Sequence, residues 1–273
     1  VPAAALAHGY RWEKDQWRPE PLLHDGTFGA MGGLITTLDD FARYVAFHLD
    51  AWPPRDDLDA GPVRRASRRE MHQMHVFIGA SYETNSPLAA LVARGSGYGY
   101  GLATGLDSQN VFRVRHAGGL PGYGSEYRFV PDRGIALIAF ANRTYAPMTA
   151  INSRVLDLIL HKARLPQREI PASPWLARRS EQLLRILQDW SAADIADALA
   201  PNVFMDRDPA DWQELAKGHF ARIGKPVRID PVRPLNQLRG RVRVEGNTGA
   251  FDLFFTLTPE AVPRIQDIRF ETP

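Results

Sequence analysis

The sequence predicts a mixed α/β protein in which an antiparallel sheet is flanked by helices and a smaller α+β domain follows. Capped helical segments and strand-like runs alternate before residue 165. A proline-rich segment then interrupts both patterns, and beyond it helices precede a series of strands. Helices followed by consecutive antiparallel strands are typical of an α+β domain.

The first clear helix begins after Thr37, a helix-capping residue followed three positions later by Asp40. Apolar residues then recur at helical spacing, at Leu38, Phe41, Ala42, Val45 and Leu49. Upstream, residues 9–12 and the residues after Lys14-Asp15 could pair as a hairpin. Ser67 to Glu70 also has the pattern of a capping box, which predicts a solvated helix start for the arginines around it.

Strand patterns dominate from Tyr98 onward, with strands predicted at 111–115, 126–130 and 134–141. The turn residues Pro131 to Gly134 join the last two as a hairpin. Residues 135–141 are apolar almost throughout, so we expect that strand to be buried on both faces. A helix follows, and we expect the apolar side formed by Ile151, Val155, Leu158 and Ile159 to cover the sheet.

The domain boundary is predicted in the segment 165–174, where three prolines block helix formation and strand pairing. We therefore assign residues 1–165 to the first domain, 166–173 to a linker and 174–273 to an accessory domain. In the latter, Ser173, Ser191 and Asp208 precede predicted helices. Four strands, near 227–232, 238–245, 250–257 and 264–270, complete an antiparallel meander.

Composition excludes several classes of protein. The formal charge is only +2, and no aromatic residues are interleaved with the densest arginine patch, so nothing indicates a nucleic-acid partner. No uncharged apolar run reaches the roughly 18 residues of a membrane span. The chain has no cysteine, which excludes thiol catalysis and thiolate metal sites. His72 and His75 could form a metal pair, but with no third ligand nearby a surface or packing role is favoured.

The segment with the clearest chemical meaning runs from Val114 to Tyr123 and contains His116-Ala117-Gly118-Gly119. Glycines at a strand edge let a ligand lie against the backbone, whose N–H groups can stabilise a developing oxyanion. His116 could donate a hydrogen bond to a substrate or help to move a proton. From spacing alone, a tight bend in which the glycines meet only a steric demand explains the segment equally well.

The run His116 to Tyr123, with Asn142 at the end of a strand some twenty residues later, resembles the third motif of the serine β-lactamase and penicillin-binding-protein-like family. The closest branch contains class C β-lactamases, family VIII-type esterases and D-amino-acid peptidases. Residues 26–38 and 7–10 also resemble that family. The resemblance covers about residues 1–165 and implies a β-lactamase-like fold and acyl-enzyme hydrolysis of an ester, amide, peptide or β-lactam.

The resemblance also implies roles for individual residues. His116 takes the Lys/His position of the motif, and the backbone N–H of Gly119 becomes one oxyanion donor. Ala117 and Gly118 fill the middle and glycine positions, and Tyr123 is assigned to substrate binding with them. Ala117 replaces the threonine of the lactamases, which favours ester, amide or peptide substrates. The family implies no cofactor or metal, a small-molecule or peptide substrate, and a periplasmic or secreted location.

The family's nucleophile is missing from the sequence. That nucleophile is the serine of Ser-x-x-Lys, and none of the ten serines has a lysine three residues later. The Tyr-x-Asn motif is absent too, and Ser108-Gln109-Asn110 lies so close to His116 that we interpret it as a turn. We therefore expect this chain to be the C-terminal part of a longer hydrolase, whose nucleophile half precedes Val1 and is the expected partner of this chain.

Two alternatives stay open from the sequence. In one, the fold persists without catalysis and the glycine-lined groove binds a peptide or carboxylate. In the other, residues 174–273 recruit a partner protein and the first domain serves as a scaffold.

Overall fold

A computed structural model describes residues 5–24, 26–55, 57–83 and 92–271, without the side chains of Phe28 and Glu83. The described residues divide into two compact units. The first comprises the chain up to residue 53 together with 58–168, and the second comprises 54–57 together with residues from 169 onward.

The first unit is built on a six-stranded antiparallel sheet whose strands follow one another in sequence order. A short separate hairpin precedes the sheet, and it consists of β1 (Tyr10–Glu13) and β2 (Gln16–Pro19). The sheet strands are β3 (Val76–Glu83), β4 (Val92–Tyr98), β5 (Ala103–Asp107), β6 (Phe112–Leu120), β7 (Tyr123–Val130) and β8 (Ile135–Ala141). The predicted hairpins β1–β2 and β7–β8 are confirmed.

Helices cover both faces of this sheet. They are α1 (Gly29–Gly32), α2 (Leu38–Leu49), α3 (Arg65–Met71) and α4 (Met148–Ala163). Beneath α2 lies a core of Val45, Leu102, Val114, Tyr127 and Phe129. On the opposite face Val111 and Val130 pack with Leu156 of α4. The N-cap prediction for α2 is confirmed, because the Thr37 hydroxyl accepts a hydrogen bond from the Asp40 amide.

The burial predicted for β8 is wrong, because that strand is only partly buried and its Phe140 is 38% exposed. The strand pairs with β7 alone and forms the edge of the described sheet, so no neighbouring strand covers its other side.

The side of α4 predicted to cover the sheet is also wrong. Ile151, Val155 and Leu158 are 40–45% exposed, while Asn152, Leu156 and Asp157 are buried. The reason is polar: Asn152 donates to the buried Glu126 carboxylate at 2.6 Å. Asp157 on the same helix accepts from arginines of the sheet, at 2.8 Å from Arg94. Buried charges need such partners, so they determine which side of the helix turns inward.

The capping box predicted at Ser67 is wrong as well. Helix α3 begins at Arg65, which places Ser67 inside the helix, and Arg65 and Arg68 are buried rather than solvated. Arg68 donates to the Phe47 carbonyl and to Asp50, and its guanidinium lies 4.0 Å from the centre of the Phe47 ring. These partners draw the arginine inward.

The second unit places helices against a five-stranded antiparallel sheet. Its helices are α5 (Pro174–Asp189), α6 (Ala192–Ala198) and α7 (Pro209–Ile223). Its strands are β9 (Pro226–Ile229), β10 (Arg233–Asn236), β11 (Arg239–Gly246), β12 (Ala250–Leu257) and β13 (Ile265–Glu271). The predicted caps are confirmed at Ser173 and Ser191, whose hydroxyls accept from Leu176 and Asp194.

The strand predicted at 227–232 corresponds to β9, which ends at Ile229, and β10 was not predicted; both strands pair with β11. Pro231 lies between them, and its missing N–H prevents continuous pairing there. Within the described residues, no helix has the length and apolar character required to cross a bilayer.

Candidate functional site

The candidate site lies where β6 extends beyond its neighbour β5. The two strands pair only from Ala103↔Arg115 to Leu106↔Phe112, whereas β6 continues to pair with β7 as far as Leu120. Within the described part of the chain, the five residues after Arg115 therefore have a strand partner on one side only. Ala117, Gly118 and Gly119 are all exposed at this free edge.

Strand geometry determines which backbone groups face the free edge. The Val111 carbonyl accepts from the Asp107 amide at 3.3 Å, so the polar backbone groups of Val111 point toward β5. In an antiparallel strand this direction repeats at every second residue. The N–H and C=O groups of Ala117 and Gly119 consequently point to the β5 side, where none of the described strands pairs with them. Those of His116 and Gly118 point to β7.

A side chain at either glycine of the motif would force a neighbouring side chain to move. A Cβ on Gly119 would lie 2.8 Å from a ring carbon of Tyr145, and a Cβ on Gly118 would lie 2.6 Å from the Ser125 hydroxyl. At the following turn Gly122 has a φ of +87°, in the left-handed region that favours glycine. The exposed edge is thus held between a turn that needs glycine and an aromatic ring.

His116 is held by a phenol. The Tyr98 hydroxyl lies 2.9 Å from Nε2 of His116. Tyr127 is the direct cross-strand partner of His116 and is hydrogen-bonded to Tyr44. Burial, together with that hydrogen bond, raises the pKa of Tyr127, so this phenol stays neutral.

The opposite face of the same strands carries a buried charge cluster. Glu126, directly across from Ala117, accepts from Nε of Arg128 at 2.9 Å and from its Nη2 at 2.6 Å. Burial, and after it the charge of Arg128, lowers the pKa of the neighbouring Arg115, while Glu126 opposes that change. The cluster connects β6 and β7 to α4 and so stabilises the hairpin that carries the glycines.

The structure brings the predicted site residues together on one hairpin but not in one environment. His116 lies beside Tyr98, whereas Ala117 and Gly119 present backbone groups at the free edge. Tyr123, predicted to bind substrate, donates its hydroxyl to the Ala7 carbonyl at 2.6 Å.

Nothing in the local sequence distinguishes Tyr98, among its neighbouring glycines, from an ordinary strand residue. Tyr127, the cross-strand partner of His116, and Tyr44, which contacts Tyr127, were not predicted either. The alternation of apolar residues along β7 could have indicated that Tyr127 shares a face with Phe129, but it carries no information about Tyr98.

His72 and His75, the candidate metal pair of the sequence, have different hydrogen-bond partners. His72 is fully buried, its Nε2 lies 2.9 Å from Nδ1 of His48, and its Nδ1 accepts from Trp52 at 2.9 Å. His75 is paired instead with Glu70. In the described ranges, no group of three or more His, Asp or Glu side chains is arranged to hold a metal ion.

Two surface clefts lie elsewhere. One of about 330 Å³ is lined by Tyr10, Trp17, Asn142 and Arg143. Another of about 380 Å³ lies along α7. Neither cleft is lined by His116 or Gly119.

A model of the β-lactamase family matches residues 2–162, which is more than half of the chain and includes the whole free edge of β6. The chain belongs to the β-lactamase family. This membership agrees with the antiparallel sheet flanked by helices, and it confirms the resemblance found in the His116 motif to serine β-lactamases and penicillin-binding proteins.

A comparison with curated proteins found no match. Among solved structures, the octameric penicillin-binding protein homologue from Pyrococcus abyssi is similar to this β-lactamase-family chain at 15% identity and a TM-score of 0.44. The similarity covers 97% of this chain and 48% of that one, so the chain spans about half of that protein's length.

Proposed function

We propose that residues 1–273 supply the oxyanion side of a serine hydrolase that works through an acyl-enzyme, with the nucleophile provided from outside these residues. This proposal is supported by the free edge of β6, where the Gly119 amide points away from β7, to the side on which no described strand pairs with it. An amide in that position can donate to the oxygen that becomes negative when an acyl carbon is attacked. An N-terminal half of the same protein is the proposed source of the Ser-x-x-Lys pair.

His116 is proposed to act beside this amide. Its ring is held by Tyr98, and one ring nitrogen is left for a substrate group or a proton. Ala117 and Gly118 form the floor against which the acyl group lies, because neither presents a large side chain.

The substrate class follows from what Ala117 lacks. With no hydroxyl at that position, the edge has one hydrogen bond fewer for a substrate carboxylate. Esters, amides and peptides are therefore favoured over β-lactams. Tyr123 stays a proposed contact to substrate, although its hydroxyl is already used by Ala7.

The experiment that tests this proposal removes a single hydrogen-bond donor, the backbone N–H of Gly119. The protein used is the proposed longer polypeptide, in which a segment with Ser-x-x-Lys precedes residues 1–273. Its Gly119 is replaced by glycolic acid, which changes the backbone N–H to an ester oxygen and preserves the shape of the backbone. Loss of one oxyanion donor is expected to lower kcat for a p-nitrophenyl ester by about 10²–10³-fold.

The matched control is glycolic acid at position 118, whose amide points to β7 and whose loss should affect stability more than kcat. An unchanged kcat in the folded Gly119 variant would remove the amide from the mechanism.

A second candidate function is non-catalytic binding of a peptide or carboxylate, favoured by the absence of an activated serine from the sequence. Sequencing the natural transcript on the 5′ side of the Val1 codon separates the two. A Ser-x-x-Lys encoded there supports the hydrolase, and a transcript without one supports the binding protein.

A further inference from the structure

The contact between Tyr98 and His116 crosses the end of a strand. Tyr98, Ala103 and Arg115 form one row across β4, β5 and β6, and His116 lies one residue beyond that row. Since β5 begins only at Ala103, its end leaves a gap through which the Tyr98 hydroxyl reaches Nε2 of His116 at 2.9 Å. The length of β5 therefore makes the contact possible.

The backbone of Tyr98 is fixed from several directions. Its carbonyl accepts from the His75 amide at 3.1 Å, and the next residue, Gly99, donates to the Leu102 carbonyl at 2.8 Å. A Cβ on Gly99 would lie 2.1 Å from the Met71 carbonyl oxygen, so the chain passes very close to the end of α3. A tyrosine whose backbone is held in this way can set the orientation of the imidazole that it contacts.

The chemistry of the pair allows the hydrogen bond two directions. A neutral imidazole has one N–H donor and one acceptor nitrogen, and a phenol can donate or accept. Among the described residues, Nε2 of His116 is the only hydrogen-bond partner of the Tyr98 hydroxyl. The phenol proton is satisfied within the protein only if it is donated to Nε2, which then carries no proton. In that arrangement the imidazole proton resides on Nδ1.

We propose that Tyr98 is a positioning residue that holds neutral His116 as the Nδ1–H tautomer. The site then offers an acyl substrate a hydrogen-bond donor from this ring, suited to a carbonyl or carboxylate oxygen. This consequence for substrate rests on the proposed function, whereas the tautomer itself does not.

The test is nuclear magnetic resonance of the ¹⁵N-labelled 273-residue chain at about pH 8.5, roughly two units above the ordinary histidine pKa. Long-range ¹H–¹⁵N correlations distinguish a protonated from an unprotonated ring nitrogen, and His116→Gln identifies the His116 signals. The expected wild-type pattern is protonated Nδ1 and unprotonated Nε2. In Tyr98→Phe we expect loss of that pattern, with the proton shifting toward Nε2.

Tyr100→Phe is the matched control, because Tyr100 is exposed and its ring contacts His75 rather than His116. We expect no change in the His116 signals there. A protonated Nε2 in the wild type would overturn the proposal, and so would an unchanged tautomer in folded Tyr98→Phe. If Tyr98→Phe does not fold, the wild-type spectrum alone decides.

The outcome is distinguishable from that of the proposed function. A wild-type Nδ1–H pattern with no effect of glycolic acid at position 119 would support the role of Tyr98 and remove the hydrolase. A large loss of kcat with glycolic acid at position 119, together with a protonated Nε2 in the wild type, would support the hydrolase and overturn the role of Tyr98.

Discussion

The buried pair His48 and His72 should make the first unit sensitive to acid. Trp52 donates to Nδ1 of His72, so neutral His72 carries its proton on Nε2 and donates it to Nδ1 of His48. Burial is the main cause that lowers the pKa of His48 to about 4 and that of His72 to about 3. Arg68 lowers both further, and His48 adds to the effect on His72. The pair is therefore neutral throughout the ordinary working range.

The direction in which pH changes the free energy of unfolding follows from the difference in proton binding between the folded and unfolded chain. Both folded pKa values lie below the unfolded value of 6.5, so the unfolded chain binds more protons between about pH 6.5 and 4. The stabilisation is fully present above pH 6.5 and is lost as the pH falls toward the folded values. At about pH 5 each histidine should lower the free energy of unfolding by roughly 2 kcal/mol relative to pH 8, or about 4 kcal/mol for the pair.

The perturbation is His48→Gln, since a glutamine oxygen can still accept from His72 while one titrating group is removed. Hydrogen exchange of β7 peptides, measured by mass spectrometry in increasing urea, reports on this unit because Phe129 lies 5.2 Å from the His72 ring. The variant should lose about 2 kcal/mol less than the wild type between pH 8 and pH 5. His161→Gln, at an exposed position of α4, is the control. Equal losses in wild type and His48→Gln would refute the reasoning.

The buried cluster around Glu126 gives a further pair of predictions. Glu126→Ala should lower the free energy of unfolding by about 3–5 kcal/mol, because Arg128 is then buried without a counter-charge. Replacing both partners, as in Glu126→Gln with Arg128→Met, should cost less than Glu126→Ala alone. Near-UV circular dichroism during thermal unfolding measures the stability of both variants. Glu13→Ala is the control: Glu13 forms an exposed ion pair with Arg11, so its loss should change the free energy of unfolding by only about 0–1 kcal/mol. A Glu126→Ala variant as stable as Glu13→Ala would contradict the account of the cluster.

Local patterns predicted the parts of the fold in which chemistry and periodicity agree. The N-caps at Thr37, Ser173 and Ser191 could be identified because a hydroxyl precedes a helical run. The hairpin β7–β8 could be identified because its turn residues separate two apolar strands. Strands β3 to β5 were not predicted as a set, since Gly79, Gly95, Gly97 and Gly105 interrupt any alternation of apolar and polar residues.

Other features depend on contacts between distant residues. The orientation of α4 follows from Asn152 and Asp157 binding charges of the sheet, which no helical periodicity reveals. The exposed glycines could be proposed from the sequence as a backbone edge. That the edge is free depends on where β5 begins, and the pairing of Tyr98 with His116 depends on the same boundary. Neither the start of β5 nor the reach of a tyrosine ring is encoded in local spacing.

We propose above that residues 1–273 present an oxyanion-binding edge but no activated nucleophile. The most direct test of this proposal is intact mass spectrometry of the chain after incubation with a fluorophosphonate and, separately, with a penicillin probe. We expect an unchanged mass, because no serine of the sequence has a lysine three residues later. A covalent adduct mapped to any serine of the folded chain would contradict it.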